Sequence, residues 1–253
     1  MMHSNKKLAC FVLLIFFWII IMTEPLPNLS RSAALKGIIL LLLVLYLFTV
    51  NPFFYTRVIG LTALNSTSFL ISRLVFWIII VLLWLYTAKV EKQPLLYWKE
   101  QKHNFLFYLL SVIVMFLVLI IGLFFIHKIL VLAGLLKKSM MQDALIAIFK
   151  TNIPLLVFTC LTAGIGEEII FRGYLLPRFE ILFKNPWLAI IVSSLSFGLA
   201  HIRYGTVGNV AGPVFIGSVF AYHYWKFRNI KLIMAFHFLW DLCLLLISVS
   251  HTS

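Results

Sequence analysis

Residues 105–126 have the sequence FLFYLLSVIVMFLVLIIGLFFI, which contains no charged side chain. An α-helix rises about 1.5 Å per residue, so this stretch is long enough to cross a hydrocarbon layer of about 30 Å. Similar apolar runs occupy residues 8–22 and 35–50. The pattern predicts helices that span a membrane.

The composition of the whole chain agrees with that prediction. The 253 residues are 63% hydrophobic and 11% charged, whereas a soluble domain has about 45–50% apolar and about 25% charged residues. We expect an all-α fold, a polytopic membrane helix bundle of about eight transmembrane helices. Their predicted positions are approximately 8–23, 34–54, 68–88, 104–126, 152–175, 186–203, 206–225 and 230–249.

Two segments of the chain need a separate interpretation. Lys6 and Lys7 before the first apolar run are also typical of a signal peptide, but no small-x-small cleavage site follows promptly, so a retained first helix is favoured. Residues 128–150 mix leucines with polar side chains such as Lys137 and Asp143. That mixture is typical of an amphipathic segment that lies at the membrane interface.

The chain is basic, with a formal net charge of +13, and its basic side chains lie mostly in short loops between apolar segments. Contact with anionic lipid headgroups explains that distribution better than contact with nucleic acid. The lipid bilayer is therefore an expected partner and nucleic acid is not. The odd-numbered loops, in which we count Arg178, carry more Lys and Arg than the termini and even-numbered loops. This bias slightly favours a cytoplasmic position for the odd-numbered loops.

Ionisable side chains cluster in the C-terminal spans, although an apolar environment makes them costly. A charge at the bilayer centre costs about 2.5–3.5 kcal/mol on insertion scales, so such groups pair with one another and mark functional sites. The residues concerned are Glu167, Glu168 and Arg172 in the fifth span, His201 at the end of the sixth, and His237 and Asp241 in the eighth.

The spacing of these residues predicts which of them share a helical face. Glu168 and Arg172 are four residues apart, and so are His237 and Asp241, so each pair stacks on one face. Glu167 projects about 100° away from its neighbour and is free for another task.

Together these helices can bring carboxylates, imidazoles and a guanidinium into one cavity, and that set suits the activation of a water molecule. A poorly hydrated carboxylate can act as a general base, and two histidines with a carboxylate also match many hydrolytic zinc sites. Gly164 and Gly166 would loosen the backbone or admit a neighbouring helix. Two other interpretations stay open, namely ion pairs that only fix helix packing and a proton relay of a transporter.

The polar clusters also form three motifs in a fixed order. Residues 167–172 (EEIIFR) fit EExxxR, residues 197–201 (FGLAH) fit FxxxH, and residues 237–241 (HFLWD) fit HxxxN/D. In these motifs the chain resembles the CPBP family, also called Abi, of intramembrane proteases. That family includes the type II CAAX prenyl endopeptidases and bacteriocin-processing or self-immunity proteins.

The resemblance implies an intramembrane endopeptidase, a hydrolase of the CAAX protease type with a fold of roughly eight helices. It implies that Glu167 and His201 position and activate the hydrolytic water. By the same resemblance, Glu168 and Arg172 shape and neutralise the site. The catalytic core would be residues 151–253, and residues 1–150 would supply N-terminal transmembrane helices and the interfacial segment.

The third motif leaves several roles open. The resemblance implies that His237 and Asp241 stabilise the oxyanion or complete the site. The last motif position is often Asn, which can donate a hydrogen bond to an oxyanion, whereas an ionised Asp cannot. Asp241 is therefore either protonated, a partner that orients His237, or a metal ligand.

The family is often described as metalloproteases, so the resemblance allows a divalent metal such as zinc as a candidate cofactor, with Glu167, His201 and His237 as its candidate ligands. A Glu and His pair can also activate water without a metal, so the motifs fit both chemistries. The expected partner is a peptide or protein substrate near the membrane, and the expected location is the cell (plasma) membrane. The alternatives are a non-catalytic membrane immunity or scaffold protein of the same fold and a proton-coupled transporter.

Overall fold

The computed structural model describes residues 29–50 and 64–251. Within these ranges the regular structure is entirely helical, with no β-strand. In chain order, the helices are α1 Arg31–Leu45, α2 Ser66–Tyr86, α3 Phe105–Leu132, α4 Met140–Thr151, α5 Ile153–Phe183, α6 Pro186–Leu199, α7 Gly208–Phe227 and α8 Ile230–His251.

Six of the helical segments in the described ranges are long and apolar enough to cross a membrane. They are Arg31–Phe48, Ser66–Glu91, Phe105–Leu132, Ile153–Phe183, Pro186–Tyr204 and Ile230–His251. The prediction of an all-α, multi-pass membrane helix bundle is confirmed. The span predicted at 206–225 is present as α7, but it is less apolar than the six because it includes Asn209, Pro213 and His223. The span predicted at 8–23, with Lys6 and Lys7, lies outside the described residues.

Polar side chains fix where most of the helices begin. An N-cap side chain accepts a hydrogen bond from a backbone N–H of the first turn, which would otherwise have no partner inside the helix. The residues that do this are Ser30, Asn65, Asn104, Ser139, Asn152 and Asn185. An apolar run therefore predicts that a membrane-spanning helix is present, and the Ser or Asn before the run determines the residue at which that helix begins.

The helices differ greatly in how much protein surrounds them. Only 11% of the residues of α3 are buried inside the bundle, whereas 61% of those of α5 are. The exposed side chains of α3 are mostly apolar, among them Phe105 and Leu132, and apolar surface of that extent requires a lipid environment. Helix α3 therefore lies at the lipid-facing edge, and α5 is the central helix of the bundle.

The segment predicted to be interfacial, residues 128–150, has two parts. Its first residues continue α3 as far as Leu132, beyond the predicted end of the fourth span. The remainder includes α4, which buries Leu145 and Phe149 and exposes Asp143 and Lys150. The amphipathic character that the sequence predicted is therefore confined to α4.

A buried ion pair connects the wide helical turn after α2, Thr87–Glu91, to the second half of α5. The Arg178 guanidinium pairs with the Glu91 carboxylate through Nη2, and its Nε donates to both carboxylate oxygens at 3.2 Å. The Tyr174 hydroxyl donates to the same carboxylate at 2.8 Å. Helix α1 approaches closely at Gly37, where a Cβ would overlap both Tyr174 and Glu91.

This pair corrects the assignment of Arg178 to a loop. The fifth helix does not end near residue 175 as predicted but continues to Phe183, and the Arg178 side chain is fully buried within the bundle. Because Arg178 does not lie in a loop, it no longer counts toward the charge bias that favoured cytoplasmic odd-numbered loops. That bias is therefore smaller than the sequence count gave.

We expect Arg178→Gln to lower the free energy of unfolding by about 3–5 kcal/mol, because it leaves the Glu91 carboxylate buried without a cation. The measurement is thermal unfolding of the purified protein in detergent. The matched control is Lys138→Gln, which removes the exposed ion pair with Asp143 at 3.3 Å and should cost about 1 kcal/mol or less. Equal shifts for the two variants would contradict a structural role of the buried pair.

Candidate active site

The backbone around the paired glutamates is wound more widely than an α-helix. Two π-helical stretches, Ala163–Glu167 and Ile169–Leu175, occupy the middle of α5, and such wide turns are rare and frequent at functional sites. A Cβ on Gly164 would lie 2.8 Å from the backbone nitrogen of Phe238, so only glycine lets α8 come this close. Gly164 therefore admits a neighbouring helix, as the sequence predicted.

The Glu168 carboxylate and the Arg172 guanidinium form the predicted ion pair. Arg172 Nη1 donates to Glu168 Oε1 at 2.8 Å, and both side chains are fully buried. Arg172 Nη2 donates to the Gly217 carbonyl of α7 at 3.2 Å. The guanidinium carbon lies 4.4 Å from the Phe197 ring centroid and 5.5 Å from that of Phe220. The cation is thus enclosed by α6 and α7 and neutralised by α5.

His237 connects this ion pair to the third motif. Its Nδ1 donates to Glu168 Oε1 at 2.7 Å, and its Nε2 lies 3.5 Å from Asp241 Oδ2. Because Nδ1 bonds to a carboxylate that carries no proton to donate, the ring is held with a hydrogen on Nδ1. Asp241 therefore takes the position of a partner that orients His237, one of the three roles that the sequence left open.

The two residues expected to activate water are more exposed than this buried network. Glu167 is half-buried, and its carboxylate forms no hydrogen bond with any group of the described residues. His201 is also half-buried, and its Nδ1 lies 2.9 Å from the Phe197 carbonyl, to which it donates. The Nε2 of His201 is therefore left as an acceptor.

Phe197 links the two histidines. Its ring centroid lies 5.0 Å from that of His201 and 6.1 Å from that of His237, in both cases edge to face. Four of the six predicted residues are joined by direct polar contacts: Glu168, Arg172, His237 and Asp241. His201 joins them through Phe197, and Glu167 lies within electrostatic range of Arg172. Glu167 and His201 do not bond to each other within the described part of the chain.

A divalent metal needs several His, Cys, Asp or Glu side chains that converge on one point. Among the described residues, no three His, Cys, Asp or Glu side chains come together as a ligand set. Nδ1 of His237 is occupied by Glu168, and Nε2 lies 3.5 Å from Asp241 Oδ2, so a metal at Nε2 would compete with Asp241 for that nitrogen. Glu167, His201 and His237 therefore do not come together as a metal-ligand set among the described residues, and a metal requirement stays a prediction.

The chain can now be compared with known proteins. A family model described as type II CAAX prenyl endopeptidase Rce1-like matches residues 149–243, a range that contains all six site residues. The C-terminal helices are therefore similar to an Rce1-like domain. The chain is also similar to the UPF0177 protein YvdC of Lactococcus lactis subsp. lactis, with 29% identity over 227 residues that cover 82% of this chain and 77% of that protein. No solved structure matches the chain.

The region that matches the Rce1-like model includes contacts with the site residues that the motifs did not reveal. Helix α7 supplies the Gly217 carbonyl and the Phe220 ring that enclose Arg172, yet neither carries a charge that would single it out. Tyr204, in the short turn after His201, has its ring nearly parallel to the His201 ring, with centroids 6.0 Å apart. The only sequence signal for Tyr204 is an aromatic side chain three residues after the motif histidine.

The two adjacent glutamates, Glu167 and Glu168, should differ sharply in their effect on stability. We expect Glu168→Gln to cost about 3–5 kcal/mol, because it removes the anion that faces the buried Arg172 and His237. The neighbouring Glu167→Gln should cost less than about 1 kcal/mol, because Glu167 forms no hydrogen bond with a described group that would be lost. Thermal unfolding in the same detergent measures both, and a similar loss for the two variants would contradict the pairing described above.

Proposed function

We propose that the chain is an intramembrane endopeptidase that hydrolyses a peptide bond of a peptide or protein substrate close to the bilayer. The observation that supports this most is the difference between neighbouring glutamates. Glu168 is committed to Arg172 and His237, whereas Glu167 is half-buried without a hydrogen bond to a described group. A structural ion pair would explain Glu168 and leave Glu167 without a purpose.

In the proposed reaction, Glu167 acts as the general base and His201 positions the water. The Glu167 carboxylate takes a proton from the water, and the oxygen attacks the carbonyl carbon of the peptide bond. The tetrahedral intermediate then collapses, and the carboxylic acid of Glu167 returns the proton to the leaving amine. The Phe197 ring and carbonyl hold His201 in place.

The similarity to the Rce1-like model supports a protease of the type II CAAX kind. It supports the type of reaction but does not identify the substrate. A prenylated protein is one substrate class, and a bacteriocin-like peptide is another that the family resemblance allows. We propose the cell (plasma) membrane as the location. A metal, if one is required, would supply a Lewis acid, but the steps above depend only on side chains of this chain.

We expect Glu167→Gln to reduce the rate of proteolysis about 10²–10⁴-fold, because glutamine keeps the shape of the side chain but cannot take a proton. The measurement is substrate trapping with the purified variant, followed by mass spectrometry of the bound protein and assay of its cleavage by the wild type. Glu100→Gln is the matched control, since Glu100 pairs with Lys231 at the surface. Full proteolysis by Glu167→Gln would overturn the proposal.

The same variants separate the proposal from its alternatives. A scaffold or immunity protein that acts by binding would keep its biological effect in Glu167→Gln and His201→Gln, whereas a protease would lose it. A proton-coupled transporter would carry substrate into proteoliposomes, and the protease would not.

We expect Asp241→Asn to keep proteolysis within about tenfold of the wild type, because an amide can still hold His237 at its Nε2. Asp241→Leu should lower the rate on the order of 10²-fold, since an imidazole without that partner loses its orientation. The measurement is kcat for both variants on the trapped substrate. Equal losses for Asn and Leu would indicate that the charge of Asp241, rather than its orienting contact, is what the reaction needs.

A further inference from the structure

Hydrolysis at this site needs a hydrogen-bond donor for the carbonyl oxygen that becomes negative, and the obvious candidates are already occupied. His237 donates from Nδ1 to Glu168, and its Nε2 faces a carboxylate. Arg172 uses Nη1 and Nη2 for Glu168 and the Gly217 carbonyl and is fully buried. An ionised Asp241 has no hydrogen to donate.

Two other N–H groups near the site lack a partner among the described residues, but neither is placed to serve. They are Arg172 Nε and Trp240 Nε1. Arg172 Nε belongs to the guanidinium enclosed by Phe197 and Phe220. The Trp240 ring packs between Phe116 and Phe236 in the core, on the side of α3.

Tyr204 is placed differently. Its ring stacks at 20° on the His201 ring, and its backbone carbonyl accepts a hydrogen bond from the Ser139 hydroxyl at 2.7 Å, which ties the turn to the start of α4. The Tyr204 hydroxyl bonds to no group of the described residues. It lies within electrostatic range of the Arg73 guanidinium and of the Glu167 and Asp241 carboxylates, so the ring that stacks on His201 also lies near the carboxylates of the first and third motifs.

We propose that Tyr204 is a further catalytic residue of this site, whose hydroxyl donates a hydrogen bond to the carbonyl oxygen of the peptide bond under attack. This role rests on the proposed function. As the water oxygen bonds to the carbonyl carbon, the π electrons of the C=O bond move to its oxygen, and the Tyr204 O–H stabilises the resulting oxyanion. The phenol keeps its proton throughout, and the only proton transferred is the one that Glu167 takes from water and returns to the amine.

A purely structural role for Tyr204 would depend on its ring. The ring packs beside an apolar cluster of α2, α4 and α5 that includes Phe69, Leu145 and Leu156. Phenylalanine would preserve that packing and the stack on His201 while removing only the hydroxyl. Tyr204→Phe therefore separates the two roles, and Tyr204→Leu, which removes both, measures the contribution of the ring.

The test is steady-state proteolysis by wild type, Tyr204→Phe and Glu167→Gln on a substrate obtained by trapping, with unfolding temperatures measured in parallel. We expect Tyr204→Phe to lower kcat about 10²–10³-fold with little change in KM and in unfolding temperature, as for removal of one oxyanion donor. The matched control is Tyr222→Phe, a half-exposed tyrosine whose hydroxyl is contacted by Lys226. It should retain full kcat.

A second readout distinguishes an oxyanion donor from a residue that only supports the fold. A phosphinate analogue of the same substrate mimics the tetrahedral intermediate, so its inhibition constant should rise by a factor similar to the loss in kcat for Tyr204→Phe. Binding of the uncleaved peptide to Glu167→Gln with and without Tyr204→Phe should be equal. An unchanged kcat in Tyr204→Phe overturns the role of Tyr204 alone. Equal and negligible cleavage by wild type and Glu167→Gln overturns the proposed function and this role with it.

Discussion

The bundle depends on one carboxylate oxygen. Glu168 Oε1 accepts hydrogen bonds from both Arg172 and His237. One carboxylate on α5 therefore pairs with the guanidinium of the same helix, which also donates to α7, and with an imidazole on α8. A lone charge among these apolar helices would be costly, and removing one partner of a buried pair costs about 3–5 kcal/mol. The same bonds fix the hydrogen on His237 Nδ1 and leave the neighbouring Glu167 outside the network. In the mechanism that we propose, stability and chemistry are divided between these two consecutive residues.

Much of this arrangement could be predicted from local sequence spacing. Apolar runs give the helices because a bilayer permits few other structures, and a separation of four residues predicts the Glu168–Arg172 and His237–Asp241 contacts. The three motifs already carried the resemblance to the CPBP family, and the Rce1-like model matches the same region. What was missed has a common cause, since local spacing carries no information about pairs distant in the chain.

The ion pair of Arg178 with Glu91 illustrates that limit. The two residues are 87 positions apart, and Arg178 follows a proline and precedes a short polar break, which is the usual composition of a loop. The Arg178 guanidinium reaches the bundle because α5 continues past Pro177. The helix tolerates this proline because it stands in the first turn of the α-helical stretch that follows the π-helical stretch Ile169–Leu175. The contact of Arg172 with the Gly217 carbonyl could not be predicted either. The two residues are distant in the chain, and every residue has a backbone carbonyl, so the sequence does not single this one out.

Because the surface of α3 is mostly exposed and apolar, the orientation of this helix depends on the thickness of the surrounding bilayer. The uncharged stretch of α3, residues 105–126, is about 33 Å long at 1.5 Å per residue, slightly more than a hydrocarbon thickness of about 30 Å. Hydrophobic mismatch in a thinner bilayer makes such a helix tilt. At Gly122, α3 touches the Phe215 ring of α7 so closely that a Cβ would overlap it, and α7 carries Gly217 and Phe220 to Arg172. A tilt of α3 in a thinner bilayer would therefore be passed, through Gly122 and Phe215, to the helix that encloses the buried cation.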